Sequence, residues 1–365
     1  MASQAGTADI PLIDITSPTA PAEIVSAAAT FGFVFVKNHG TGLPPEDIDK
    51  MFDLSRDLFQ APEDVKAECS INSSSSGKNR GWLGMHTETL DPGNQKACST
   101  KIIMAFNVGE FVNGKAQQPL PTPVASREGD IGRFADRCHD LCNKILELFA
   151  IGLEIPSSEG GSSWFSSRHD RSKGPSGSIL RLLYYPPLPP TLAPTTDDIR
   201  AGAHSDYGSI TLLFRLPSQP GLEILTPQGT WASVPTTPCP HPTAAPAAAP
   251  APGDLPVLVN IGDLLSYWTA GLLKSTVHRV VFPPADRPAE RLSIAYFCHP
   301  LDEARLVPVP SRVVEAYVEA KAAKGGVEGE GGPEEVERWR RGVPVGEVTA
   351  KDHLDARLRA TYGIE

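Results

Sequence analysis

His204-Ser205-Asp206 stands just ahead of an apolar, β-prone run, Ile210-Thr211-Leu212-Leu213-Phe214, and His278 opens another, His278-Arg279-Val280-Val281-Phe282. Side chains alternate along a strand with period two, so the single residue between His204 and Asp206 lets both side chains leave a strand end on the same side. A third ligand has to come from a different strand, and the long gap from Asp206 to His278 suits that. Two neutral imidazoles and one carboxylate on one face of an octahedron leave three positions open. That set suits non-haem iron(II) and oxygen activation.

Glu290-Arg291-Leu292-Ser293 comes next in the chain. A planar guanidinium forms two parallel charge-assisted bonds with a carboxylate, so Arg291, helped by the Ser293 hydroxyl, suits the distal carboxylate of a 2-oxo acid. A 2-oxo acid takes two metal positions and O2 the third. His-x-Asp alone is weak evidence, because His353-Leu354-Asp355 and His86-Thr87-Glu88 have similar spacing. His353 lies in a helical pattern with no later histidine or Arg-x-Ser. His86 is followed by His139 and His169, neither in a strand-like run leading to Arg-x-Ser. Only His204 starts the whole ordered series. His39 reads as a turn residue, His169 as a loop residue, and His241 as free.

This ordered series resembles the iron(II)/2-oxoglutarate-dependent dioxygenase superfamily, in its isopenicillin N synthase-like branch, and the resemblance runs over most of the chain. It implies a mainly β protein with flanking helices around a distorted double-stranded β-helix, or jelly-roll, core. It implies His204, Asp206 and His278 as iron(II) ligands, and Arg291 and Ser293 as the clamp for 2-oxoglutarate. Tyr185, in Leu182-Leu183-Tyr184-Tyr185-Pro186-Pro187, matches a tyrosine that the family places before a proline. Leu183 stands where the family often has asparagine. Asn79-Arg80-Gly81-Trp82 resembles the segment bordering the substrate mouth, which makes Arg80 a candidate contact to an anionic substrate. Phe297 shares the strand face of Arg291 and is a second candidate.

The implied reaction oxidises a small organic molecule, with O2 consumed and 2-oxoglutarate converted to succinate and CO2. Hydroxylation, desaturation and cyclisation all occur in such enzymes, and a small natural product or hormone-like acid is the expected substrate. Three other readings stand beside this one. An isopenicillin N synthase-like oxidase that does not use 2-oxoglutarate can keep Arg-x-Ser. A zinc hydrolase or cupin-like isomerase does not need that pair. A non-enzymatic binding protein of the same fold should have lost a ligand, and none is lost here.

The elements must bring these residues together. Helical spacing predicts helices over residues 21–31, 45–59, 130–153 and 311–323, with Asp130 as N-cap of the third. A last helix opens at Thr349, with Asp352 completing a capping box, and its stripe is Leu354, Leu358 and Tyr362. Strands are predicted over 178–185, 209–214, 221–225, 230–234, 255–261, 277–282 and 291–299. Asn260-Ile261-Gly262-Asp263 through Gly271 reads as a turn. The expected organisation is an N-terminal region 1–125 forming the substrate mouth, a scaffold helix and connection 126–177, the catalytic core 178–300 and a helical region 301–365. A Pro/Ala-rich insertion, 236–256, interrupts the core.

The 365 residues are 40% apolar and 21% charged, an ordinary globular composition. A net charge of −10 argues against non-specific nucleic-acid binding, which needs a basic field. The N-terminal residues have no signal-peptide pattern and no apolar run is of membrane-spanning length, so the cytoplasm is expected. Cys138 and Cys142 fall on a helical stripe and read as buried thiols. No protein partner is implied.

Overall fold

Along residues 291–298 the side chains alternate between two kinds of surroundings, and the layers of the protein follow from that alternation. The computed structural model describes residues 6–73, 79–85, 103–187, 198–238, 252–282, 290–323 and 348–362. Its strands are β1 (Gly6–Thr7), β2 (Leu12–Ile13), β3 (Phe33–Val36), β4 (Gly81–Leu83), β5 (Met104–Val108), β6 (Phe111–Val112), β7 (Lys115–Ala116) and β8 (Ile179–Tyr185), followed by β9 (Asp198–His204), β10 (Ile210–Arg215), β11 (Leu222–Leu225), β12 (Trp231–Ser233), β13 (Val257–Ile261), β14 (His278–Phe282) and β15 (Arg291–Cys298). The helices are α1 (Ala20–Thr30), α2 (Pro45–Gln60), α3 (Glu63–Ala67), α4 (Thr122–Ala125), α5 (Glu128–Gly152), α6 (Asp263–Trp268), α7 (Arg312–Ala323) and α8 (Ala350–Tyr362).

The larger sheet runs β2-β3-β13-β10-β15-β8-β5-β4 and the smaller β1-β12-β11-β14-β9. On β15, Leu292, Ile294, Tyr296 and Cys298 belong to the main core, whereas Arg291, Ser293, Ala295 and Phe297 line a cavity. The same division runs across the paired strands. Leu212 and Phe214 of β10, and Leu180 and Leu182 of β8, join the main core with helix residues such as Phe134 and Phe149. Helices α2 and α5 lie against this outer face. The inner face meets the smaller sheet, where Phe33, Phe35 and Leu258 pack on Leu222, Ile224 and Ala232. Two sheets face to face with helices outside one of them form a jelly roll with flanking helices.

The sequence places most of these elements within a residue or two. Two expectations change. Helix α5 begins at Glu128, so Asp130 lies in its first turn rather than at the cap. Its carboxylate pairs with Arg133 one turn on, and the first backbone N–H groups receive no side-chain cap. Residues 263–268, expected as turn, form helix α6. Leu264, Leu265 and Trp268 face the core at helical spacing, and six residues are too few for that period to stand out. The capping box at α8 is present: the Thr349 N–H donates to Asp352 Oδ2 (3.0 Å) and the Asp352 N–H to Thr349 Oγ1 (3.2 Å). Most of the 236–256 insertion, and His86, Glu88 and His241, lie outside the described residues. Among the described residues no helix is long and apolar enough to cross a membrane.

Trp268 closes the core behind the site. It is fully buried and meets Trp164 edge to face at 5.6 Å and Phe165 at 5.8 Å. Trp268→Ala leaves a cavity that rigid neighbours cannot fill. It is expected to cost about 3–5 kcal/mol in denaturant unfolding, and a loss under about 1 kcal/mol would mean that this packing is incidental.

Candidate active site

His204 ends β9 and His278 begins β14, and the two are directly paired in the antiparallel register of the smaller sheet. Each ring is oriented by its own backbone. The Nδ1 of His204 lies 2.8 Å from the Gly202 carbonyl and that of His278 3.1 Å from the Thr276 carbonyl. A carbonyl only accepts, so both Nδ1 atoms carry the proton, and in the neutral imidazole that leaves the lone pair on Nε2. Those Nε2 atoms lie 3.9 Å and 3.7 Å from Asp206 Oδ1. The three ligand-type atoms all fall within 4.8 Å of one another.

Asp206 is buried, yet its two oxygens are separately occupied. Oδ2 accepts from Thr211 Oγ1 (2.6 Å) and Asn260 Nδ2 (2.7 Å), while Oδ1 faces the imidazoles. Burial pushes this carboxyl up, but His278, His204 and the two hydrogen bonds outweigh it and hold it below the ordinary aspartate value. Thr211 and Asn260 are register partners on β10 and β13. The loop after Asp206 is pinned from its backbone: Asp263 N–H donates to the Asp206 carbonyl (2.8 Å) and Leu264 N–H to Gly208 (3.0 Å). At Gly262 an added Cβ would stand 2.2 Å from the Gly208 carbonyl, so only glycine lets the two segments approach. His169, expected in a loop, is fully buried. Its Nδ1 donates to the Phe165 carbonyl (2.7 Å) and its Nε2 accepts from Ser209 Oγ (2.8 Å), bracing the start of β10.

Across the cavity, Arg291, Ser293 and Tyr185 share the inner face of the larger sheet. Arg291 pairs with Tyr185 in the β15–β8 register. Its guanidinium lies 5.2 Å from the Tyr185 ring centre, donates from Nε to the Pro220 carbonyl (3.1 Å) and approaches Ser293 Oγ (3.4 Å). Arg291 is buried, and burial draws its pKa down against the opposing effect of Tyr185. Leu183 and Phe297 line the cavity. Arg80 does not; its guanidinium lies against Gly109, and the neighbouring Asn79 lines the cavity instead. His299 lines it too, with burial and then His353 pushing it down to about 3, so it stays neutral.

Helix α8 closes one side. Leu354 and Leu358 line the cavity. Between them Arg357 reaches Asp263 (3.2 Å) and Ser205 Oγ (3.3 Å), and its guanidinium lies 4.6 Å from the Tyr207 ring centre. Ser205, the residue between His204 and Asp206, is thus tied to the last helix. Periodicity shows that Leu354 and Leu358 form an apolar stripe, but not that the stripe faces a cavity.

The donor set fits a divalent iron ion: two imidazole nitrogens and one carboxylate oxygen converge on one point of the cavity. Removing the bonds that orient the carboxylate tests that fit. Thr211→Val and Asn260→Leu are each expected to weaken iron(II) binding about 10–100-fold with the fold intact by circular dichroism; unchanged affinity would mean that Asp206 needs no orienting. Arg357→Ala is expected to raise amide exchange across α8 while iron(II) affinity stays within about twofold. Equal protection in parent and variant would show that the arginine does not hold the helix.

Residues 10–123 match the model of the non-haem dioxygenase in morphine synthesis N-terminal family, and residues 176–300 that of the 2OG-Fe(II) oxygenase superfamily. The chain is 31% identical to UPF0676 protein C1494.01 of Schizosaccharomyces pombe, over 98% of this chain and 94% of that protein. It is 27% identical to the 2-oxoglutarate-dependent dioxygenase frbA of Dothideomycetidae sp., over 94% and 91%. In structure it resembles full-length Neurospora crassa T7H crystallised with alpha-KG and thymine, with a TM-score of 0.69, 27% identity and 98% of each chain covered. With the jelly roll and the His-Asp-His cluster between its sheets, the chain belongs to the iron(II)/2-oxoglutarate-dependent oxygenase superfamily and is a 2-oxoglutarate-dependent dioxygenase.

Proposed function

We propose that His204 Nε2, Asp206 Oδ1 and His278 Nε2 hold the iron(II), and that Arg291, Ser293 and Tyr185 hold the distal carboxylate of 2-oxoglutarate. When bound, the iron and 2-oxoglutarate supply the oxidising chemistry, in which O2 is consumed and succinate and CO2 are released. The observation that carries this reading is the cavity itself: three metal-type donors on one wall and a buried guanidinium on the wall opposite. Thr211 and Asn260 keep the second Asp206 oxygen engaged, so the carboxylate offers one atom. The Nδ1 bonds of the two histidines keep both imidazoles in the ligand tautomer. Arg291 supplies a planar, permanently charged fork that a carboxylate matches in two parallel bonds.

The substrate on this reading is a small organic molecule held beside the donors. Ile103, Leu213, Phe297, Leu354 and Leu358 give it a largely apolar lining. Phe297 is our candidate for direct contact. For Arg80 the placement argues for a lesser part, since Asn79 and not Arg80 lines the cavity. The thymine in the Neurospora crassa T7H structure is a molecule of suitable size. We place the enzyme in the cytoplasm, in keeping with its free, buried Cys69, Cys138, Cys142 and Cys298.

The test is spectroscopic. Metal-free protein given iron(II) and 2-oxoglutarate without oxygen is expected to show a visible metal-to-ligand charge-transfer band. His204→Ala is expected to abolish it by losing iron, and Arg291→Ala to weaken 2-oxoglutarate binding about 10-fold or more. A full band in both variants would refute these residue assignments.

A further inference from the structure

We propose that Arg215 is a second cationic member of the co-substrate site, an electrostatic support behind Arg291 that sets affinity for the distal carboxylate. The inference rests on the assignment of Arg291 as the carboxylate clamp. Arg215 ends β10 and is the direct register partner of Ser293 on β15. Directly opposed residues of an antiparallel pair share a face, as do residues two apart on one strand. Arg215, Ser293 and Arg291 therefore form one polar patch on the inner face of the larger sheet.

The patch has an unusual charge balance. Arg215 is 4% exposed and Arg291 3%. Among the described residues neither forms an ion pair with an acid; their polar partners are neutral. Arg215 donates to the carbonyls of Pro235 (2.8 Å) and Thr236 (3.0 Å), and its Nε has no hydrogen-bond partner. Its guanidinium lies 5.2 Å from the Phe35 ring centre. Burial, and then the charge on Arg291, pull the pKa of Arg215 down to about 9, so Arg215 stays charged at neutral pH. Two buried like charges without a counter-charge destabilise each other.

A merely structural role does not account for this. The carbonyls of Pro235 and Thr236 need donors, and a neutral amide side chain would supply one without opposing Arg291. What a second guanidinium adds is positive potential where Arg291 meets its ligand. A carboxylate there relieves the repulsion between the arginines as well as pairing with Arg291. Arg215 does not line the cavity, whereas Arg291 and Ser293 do, so it acts through its field and through Arg291, as a positioning residue.

The experiment compares two 2-oxo acids on iron(II)-loaded protein without oxygen, each titrated through the charge-transfer band. 2-Oxoglutarate has the distal carboxylate; 2-oxobutyrate keeps the chelating end and lacks it. Arg215→Gln removes the charge but keeps an amide donor for the two carbonyls. It is expected to raise the Kd for 2-oxoglutarate about 10-fold and to leave that for 2-oxobutyrate within about twofold. Arg215→Met should behave alike and serves where the glutamine variant does not fold, as judged by thermal unfolding. An unchanged Kd for 2-oxoglutarate, or an equal loss for both acids, would overturn the proposal. Arg291→Met is the control. If it weakens 2-oxoglutarate selectively and Arg215→Gln does not, only the role of Arg215 fails. If Arg291→Met affects neither acid, the clamp assignment fails.

Discussion

A carboxylate taken out of water is costly unless each of its oxygens finds a partner, and Asp206 meets that requirement by dividing its two oxygens between two parts of the protein. One oxygen belongs to the larger sheet, through Thr211 and Asn260. The other faces two histidines of the smaller sheet. The carboxylate therefore links the sheets at the point where they would otherwise need an apolar filling. Its geometry depends on two registers and a set of loop bonds at once: β10 with β13 places the two donors side by side, β9 with β14 sets the imidazoles opposite each other, and the backbone bonds from residues 262–264 fix the loop between. A slip of one residue in either register would turn a side chain to the wrong face.

The space between the sheets is divided accordingly. At one end Phe33, Phe35, Leu222, Ile224, Val234 and Leu258 fill it with apolar side chains. At the other end the same inner faces present Thr211, Asn260, Arg291 and Ser293. Polar side chains there would destabilise an ordinary sandwich core. They are tolerated because the apolar end and the helix-covered outer face carry the folding. Strand β15 shows the division within eight residues, with Leu292, Ile294 and Tyr296 against the helices and Arg291, Ser293 and Phe297 on the cavity.

What could be read from the sequence follows from the same geometry. Strand periodicity is local, so the shared face of Arg291, Ser293 and Phe297 was legible, as was the His204, Asp206, His278 series, because metal chemistry restricts residue types and order. The partners of Asp206 were not legible. Thr211 and Asn260 meet only through a register between strands that are distant in sequence, and neither residue type is distinctive alone. His169 does lie in a bend between elements, as its sequence context implies, but its burial comes from Phe165 and Ser209, which no local pattern connects to it. Helix α6 was missed for its brevity, and Asp130 was placed at a cap because the choice between capping and an i,i+3 pair with Arg133 is decided by where the helix starts.

The last helix shows how weak bonds can serve the site. The Arg357–Asp263 pair is partly exposed on both sides, and such a pair contributes about 0–1 kcal/mol. Leu358 is buried, and a leucine so placed contributes about 1.5–3 kcal/mol. Burial of Leu358, more than the ion pair, therefore holds α8 in place, and the same side chain lines the cavity. Arg357 ties the helix to the loop, because its partners are Asp263, whose backbone N–H holds the Asp206 carbonyl, and Ser205, which lies between His204 and Asp206. The helix that lines the cavity and the loop that carries two metal-type donors are thus one mechanical unit.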